Sequence, residues 1–138
     1  MPLTIIASGI MTLVVASTLG LSPQGGSSTD ESLDASPALA ALAAIMIILI
    51  IPLAEEFIFR RILLDSFRTK MPTLAAALLV IVLFAGIHVV PPVMLYILFL
   101  GSALTGMRLW YGNLWAPVIF HMCNNGFVSG ITLLAILL

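Results

Sequence analysis

The sequence predicts an all-α, polytopic membrane helical bundle with about five transmembrane helices, and three observations carry that expectation. Of its 138 residues, 62% are hydrophobic and only 8% are charged, and the mean hydropathy of +1.24 lies far outside the range of soluble globular chains. The apolar residues fall into runs approaching the ~20 residues that a helix needs to cross a bilayer. Proline, glycine and short polar stretches separate those runs, where helices are expected to stop.

Residues 3–21 form the first expected span. No Lys or Arg precedes this run and no small-x-small site closes it, so it reads as a spanning helix rather than a cleaved leader. The stretch SPQGGSSTDESLDASP at 22–37 is polar and acidic, as a flexible connector would be. A second span begins near Ala38, passes Pro52 and continues as a helix toward Arg68. TKMP at 69–72 breaks the chain before a third span over 73–90, and Pro91-Pro92 sets off a fourth over roughly 93–107. RLWYGN at 108–113 then turns the chain into a fifth, 114–138. No internal repeat or second folded domain is visible. Residues 1–37 read as an N-terminal helix and acidic loop, and 38–138 as the core.

Four of the five Lys and Arg residues, Arg60, Arg61, Arg68 and Lys70, share one connection, whereas Asp30, Glu31 and Asp34 lie in the 22–37 loop. The positive-inside rule therefore places the N-terminus, the 60–72 connection and the 108–113 turn on the cytoplasmic side, with the 22–37 loop and the C-terminus outside. The expected setting is a multi-pass protein of the cell (plasma or inner) membrane, with the lipid bilayer as its first partner. A net charge of -1 and a pI near 6.0 leave no basic surface for nucleic acid. With Cys123 as the single cysteine, no intramolecular disulfide can form.

Against this background IIPLAEEFIFRRILL, residues 50–64, places four ionisable side chains inside an apolar helix. Glu56 precedes Arg60 by one i,i+4 step, the favourable order for a helical ion pair. Glu55 points roughly 100° away from Glu56, and its own i+3 and i+4 neighbours are Ile58 and Phe59. A desolvated carboxylate without a helical partner suits general acid–base work. The bland alternative is a set of charges snorkelling at the membrane surface. Other polar residues recur in the later spans: His88 closes FAGIH with Phe84 one turn below, and His121 in HMCNN shares a helix face with Asn125, with Asn124 slightly off it. Such residues face a bundle interior rather than lipid. A hairpin turning between Met71 and Pro72 brings Glu55 and His88 to one level. The same counting leaves Asn125 short of that level by about 5 Å and His121 by about 10 Å, a gap for helix tilt or a kink at Pro117 to close.

Read in order on successive hydrophobic helices, EExxxR (Glu55, Glu56, Arg60), FxxxH (Phe84 to His88) and HxxxN (His121 to Asn125) resemble the motifs of the CPBP family, the CAAX proteases and bacteriocin-processing enzymes, which include the type II CAAX prenyl endopeptidases. The resemblance covers about residues 38–138. It implies a glutamate-dependent intramembrane endopeptidase that hydrolyses a peptide bond of a membrane-associated or prenylated peptide or protein through an activated water, with no cofactor. By that resemblance Glu55 and His88 would be the base and water-positioning pair and His121 with Asn125 the oxyanion donors. Glu56, Arg60, Phe84 and Asn124 would support them.

On the residues alone other readings stay open. Glu55, His88 and His121 make a two-histidine, one-carboxylate zinc set with Glu56 as base, although the local HExxH spacing is missing. Cys123 as a nucleophile would point to nearly the opposite helix face from His121 and reads as a packing residue. A catalytically silent relative, acting as an immunity protein, a scaffold or an accessory subunit with other membrane protein subunits, would carry the same motifs. A proton or ion pathway would spread its polar residues across the bilayer instead of clustering them. Gly101, Ser102, Ala103, Gly106, Gly126 and Gly130 read as sites of close helix approach. Trp110, Tyr111 and Trp115 fit an interfacial aromatic belt, and Asp65 has Arg61 and Arg68 within pairing distance along a helix.

Overall fold

The structure, a computed structural model, describes residues 37–88 and 90–137, with side chains described over 41–88 and 90–131. The expected span 3–21 and residues 22–36 of the acidic connector lie outside the described residues. Among the described residues every regular element is helical.

Helix α1 runs without interruption from Pro37 to Arg68. It consists of α-helical Pro37–Ile45, a π-helical segment Met46–Ile50, α-helical Ile51–Glu56, a second π-helical segment Phe57–Leu63, and α-helical Leu64–Arg68. Pro52 supplies a physical reason for the first π segment: inside an α-helix its ring would meet the carbonyl four residues back, and a widened turn relieves that clash.

The break at TKMP is present. Lys70 N and Met71 N both bond to Phe67 O, at 2.9 and 3.0 Å, and close the end of α1. Helix α2, Thr73–Gly86, is shorter than the expected 73–90, because Ile87 and His88 turn back onto Leu83 and Ala85. Gly86 is a weak helix former, and Val90 is held extended by the proline that follows it. Fourteen residues rise about 21 Å, less than the ~30 Å of bilayer hydrocarbon.

Helix α3, Pro91–Tyr111, is longer at both ends than the expected 93–107. Its two prolines occupy the first helical positions, where a missing N–H costs nothing. Gly112, with φ 65°, ends it in the left-handed conformation and returns its N–H to Arg108 O. Asn113 Oδ1 then accepts the Ala116 N–H at 3.1 Å and opens helix α4, Trp115–Leu137.

Helix α2 packs on α3, and α3 on α4. Helix α4 returns to the first half of α1, over Met46–Glu56, while α2 covers the second half. Phe59 and Leu64 of α1, Ala76, Val80 and Phe84 of α2, and Ile97, Leu100 and Leu104 of α3 make the common core. The distribution of polarity is that of a membrane protein. Leu74, Val82 and Ile119 lie 72%, 59% and 57% exposed on the outside, while Glu56, Arg60, His121 and Asn124 lie within, at 2% or less. Lipid accepts the first group and only a paired interior accepts the second. Among the described residues two helices, Ala41–Arg68 and Pro91–Tyr111, are long and apolar enough to cross a bilayer.

Close approach is realised at Gly101, where a Cβ would stand 3.2 Å from Phe84 Cδ1, and at Gly126, where it would meet Ile48 Cγ2 at 3.6 Å. Gly106 and Gly130 have nothing within 4 Å of where a Cβ would stand among the described residues, so the expectation of close approach is corrected at these two. Cys123 is exposed rather than packed, because it lies on the face of α4 turned away from the bundle. Trp110, Tyr111 and Trp115 are all exposed around the Gly112 turn, as an aromatic belt requires.

Candidate active site at the centre of the bundle

The expected ion pair of α1 is formed. Arg60 Nη1 donates to Glu56 Oε1 at 2.8 Å, and both side chains are fully buried. Burial of an arginine this deep requires partners from other helices. Arg60 Nη2 donates to Gly101 O of α3 at 3.3 Å, and the guanidinium lies 4.3 Å over the centre of the Phe84 ring of α2, a cation–π contact in a dry setting. Absence of a side chain at Gly101 is what lets Phe84 and Arg60 come this close.

Phe84 has a second task. Its ring packs edge-on to Phe59, His88 and His121, with centroids 4.8, 5.3 and 6.0 Å apart, and its carbonyl accepts from His88 Nδ1 at 2.9 Å. A carbonyl can only accept, so Nδ1 carries the proton, and of the two neutral tautomers this contact selects the one with its lone pair on Nε2.

His121 of α4 lies between the two glutamates. Its Nδ1 meets Glu56 Oε1 at 2.9 Å, and its Nε2 stands 3.6 Å from Glu55 Oε2. The two carboxylates differ in access: the Glu55 side chain is 20% exposed and Glu56 is closed off. Glu55 has no partner along its own helix, as its i+3 and i+4 neighbours imply. Its neighbour comes from α4, and it is within electrostatic range of His88, His121, Glu56 and Arg60. The level count that left His121 about 10 Å short assumed uniform α-helices. The second π segment of α1, which lies between Glu55 and the turn at Met71 and Pro72, and the early end of α2 alter that count.

One turn further along α4, Asn124 is buried and accepts from Tyr96 Oη of α3 at 2.6 Å, and Asn125 Nδ2 donates to Ile47 O of α1 at 3.0 Å. Glu55, Glu56, Arg60, Phe84, His88 and His121 thus form one constellation, with Asn124 and Asn125 adjoining it through contacts of their own. Tyr96 and the Gly101 carbonyl escaped the sequence reading. A tyrosine within an apolar span was a usable signal for the first, whereas nothing in the sequence marks a backbone carbonyl as a ligand. Three buried polar atoms of this interior, Glu56 Oε2, Arg60 Nε and Thr105 Oγ1, have no hydrogen-bond partner among the described residues. No group of three or more His, Cys, Asp and Glu residues among the described residues is placed to hold a metal ion.

A bundle of apolar helices enclosing paired charges and two oriented imidazoles defines a membrane protein with a polar site in its interior. Residues 37–127 match the sequence model of the type II CAAX prenyl endopeptidase Rce1-like family, and the chain belongs to that family. Membership suggests CAAX-protease-type activity at the level of the family. Comparison with curated proteins and with solved structures found no match.

Proposed function

We propose that this chain is a glutamate-dependent intramembrane endopeptidase that hydrolyses a peptide bond of a membrane-associated or prenylated peptide or protein with an activated water. The observation that carries this reading is the seating of His121, anchored on Glu56 through Nδ1 with Nε2 3.6 Å from Glu55 Oε2. That separation exceeds a direct hydrogen bond, so the more accessible carboxylate keeps its capacity to engage a third group.

Glu55 takes one proton from a water, and His88 Nε2 accepts a hydrogen bond from the other and aims it. The water oxygen bonds to the carbonyl carbon as the C=O electron pair moves to oxygen. His121 Nε2–H, with the amide of Asn125, stabilises the oxyanion. As the C–N bond breaks, Glu55 returns its proton to the leaving amine. Donation by His121 from both nitrogens, Nδ1 to Glu56 and Nε2 to the oxyanion, requires the ring to carry a proton on each. Glu56 and Arg60 hold His121 in place.

Residues 38–138 form the catalytic core in this reading, within a multi-pass chain of about five spans in the cell membrane. The N-terminus and the basic 60–72 connection face the cytoplasm, which the exposure of Arg61, Arg68 and Lys70 at the end of α1 supports.

The test is cleavage of prenylated and unprenylated peptides by purified protein, wild type against Glu55→Gln, with and without a chelator. Loss of about a hundred- to ten-thousandfold in the variant, at unchanged thermal stability and without chelator sensitivity, is the expected result. Loss to the chelator would transfer the reading to a zinc set of Glu55, His88 and His121. Absence of cleavage by well-folded wild type against the whole panel would overturn it in favour of a silent, partner-binding relative.

A further inference from the structure

The hydrogen bond from Asn125 to Ile47 falls at a point where the backbone of α1 lacks a donor. Within the π segment the N–H of Ile51 reaches back five residues to Met46 O. The next rung of that ladder would carry the N–H of residue 52 to Ile47 O, and residue 52 is a proline, which has none. Ile47 O therefore loses its π partner at Pro52 and its α partner, the Ile51 N–H, to Met46. A carbonyl left in this condition between apolar helices is costly, because hydrocarbon offers no water to replace the bond.

Helix α4 meets this need. Asn125 Nδ2 donates to Ile47 O at 3.0 Å, while the neighbouring Gly126 lets Ile48 approach to 3.6 Å of where a Cβ would stand. Ile47 and Ile48 are partly buried in a stretch whose flanking residues, Ile45, Met46, Leu49 and Ile50, are exposed, so this is the face of α1 turned to α4. A π turn takes up one extra residue and re-phases everything after it by roughly 100° about the axis. Glu55 and Glu56 lie about one helical turn beyond it.

We propose that Asn125 is a positioning residue: its side-chain amide replaces the backbone N–H that Pro52 withholds from Ile47, and so holds open the π turn that aims Glu55 and Glu56 at His121. Nδ2 carries two hydrogens, and the one on Ile47 leaves the other for an oxyanion, so this role is compatible with the endopeptidase reading. The catalytic half of the inference rests on that reading. Its geometric half does not.

A double-mutant cycle tests both. Wild type, Asn125→Ala, Pro52→Ala and the double variant of the full chain are compared in nanodiscs for kcat and KM on a cleavable peptide, and separately for Tm. Because Pro52→Ala restores an N–H to that rung, Asn125→Ala should cost kcat at least about tenfold more in the wild-type background than in the Pro52→Ala background, with KM little changed. The Tm losses should be non-additive in the same sense. Equal kcat losses in both backgrounds with coupled Tm values would mean that the link to Ile47 is structural only and that Asn125 acts on kcat through the oxyanion alone, which overturns the positioning role, and additivity in both quantities would overturn the whole inference. If the wild type cleaves nothing, the endopeptidase reading falls, and the Tm cycle alone decides whether Asn125 stands in for the missing amide. Should Asn125→Ala not fold in either background, Asn125→Leu, which keeps the volume and removes the donor, takes its place in the same cycle.

Discussion

Helix α1 carries two acid–arginine pairs of the same spacing, and they have opposite fates. Glu56 and Arg60 lie 2.8 Å apart and wholly inside the bundle. Arg61 and Asp65 lie 3.1 Å apart with side chains 61% and 26% exposed. The two arginines are sequence neighbours, so they project about 100° apart; Arg60 points at Gly101 and Phe84, and Arg61 points outward. An i,i+4 pair is therefore no unit of energy by itself. Its contribution is set by what lies around it: the inner pair is part of a site that cannot tolerate loss of one member, and the outer pair is a tether on the exposed surface of the bundle.

The largest effect should come from unpairing the inner cluster. Arg60→Met leaves Glu56 buried with only His121 beside it, and breaking a buried pair from one side costs about 3–5 kcal/mol. Thermal denaturation of purified protein should show a large fall in Tm. Restoring neutrality with Glu56→Gln on top of Arg60→Met should recover part of it, because the double variant no longer buries a lone charge. Additive losses from the two substitutions would break the comparison.

A smaller effect is expected at the wall of the same cluster. Gly101→Ala puts a Cβ 3.2 Å from Phe84 Cδ1 and 3.6 Å from Arg60 Nη2, against a ring already fixed between Phe59 and the guanidinium. Overpacking of this kind costs about 1–3 kcal/mol. Gly106→Ala, with nothing within 4 Å, is the matched control and should leave Tm unchanged or slightly raised, since alanine is the better helix former.

The parts legible in the sequence are those fixed by local rules. Composition established an apolar helical chain, Pro and Gly marked the ends of its helices, and i,i+4 spacing paired Glu56 with Arg60. The resemblance to a known family, carried by EExxxR, FxxxH and HxxxN, agrees with the family to which the chain belongs. What escaped depended on the phase of a helix. The π turns of α1, the first of them just ahead of Pro52, change which residues share a face and which share a level, so Glu55 meets His121 despite the counting. The Gly101 carbonyl, the Tyr96 hydroxyl and the link from Asn125 to Ile47 are contacts between elements distant in sequence, and periodicity says nothing about them.

The outer cluster supplies the smallest effects and the sharpest contrast. Asp65 was expected to pair along the helix with Arg61 and Arg68, and it does so at 3.1 and 3.9 Å. It also receives Arg108 Nη2 of α3 at 3.0 Å, from a side chain only 11% exposed, whose Nε reaches Arg60 O at 3.4 Å. Three arginines thus converge on one carboxylate, and they are not equivalent. Arg108 joins two helices in a partly closed setting. Arg61 gains modest Coulomb energy in solvent, at the entropic cost of holding two long side chains. Arg61→Ala should therefore change stability by about 0.5 kcal/mol or less, with any change vanishing in high salt. Asp65→Asn should cost about 1 kcal/mol, because it also removes the tie to Arg108, and part of that cost should persist in high salt. Tm measured at low and high ionic strength separates them: equal salt dependence for the two variants would mean that Arg108 adds nothing beyond a surface pair, and the division between an inner site and an outer tether would then have to be drawn at Arg60 alone.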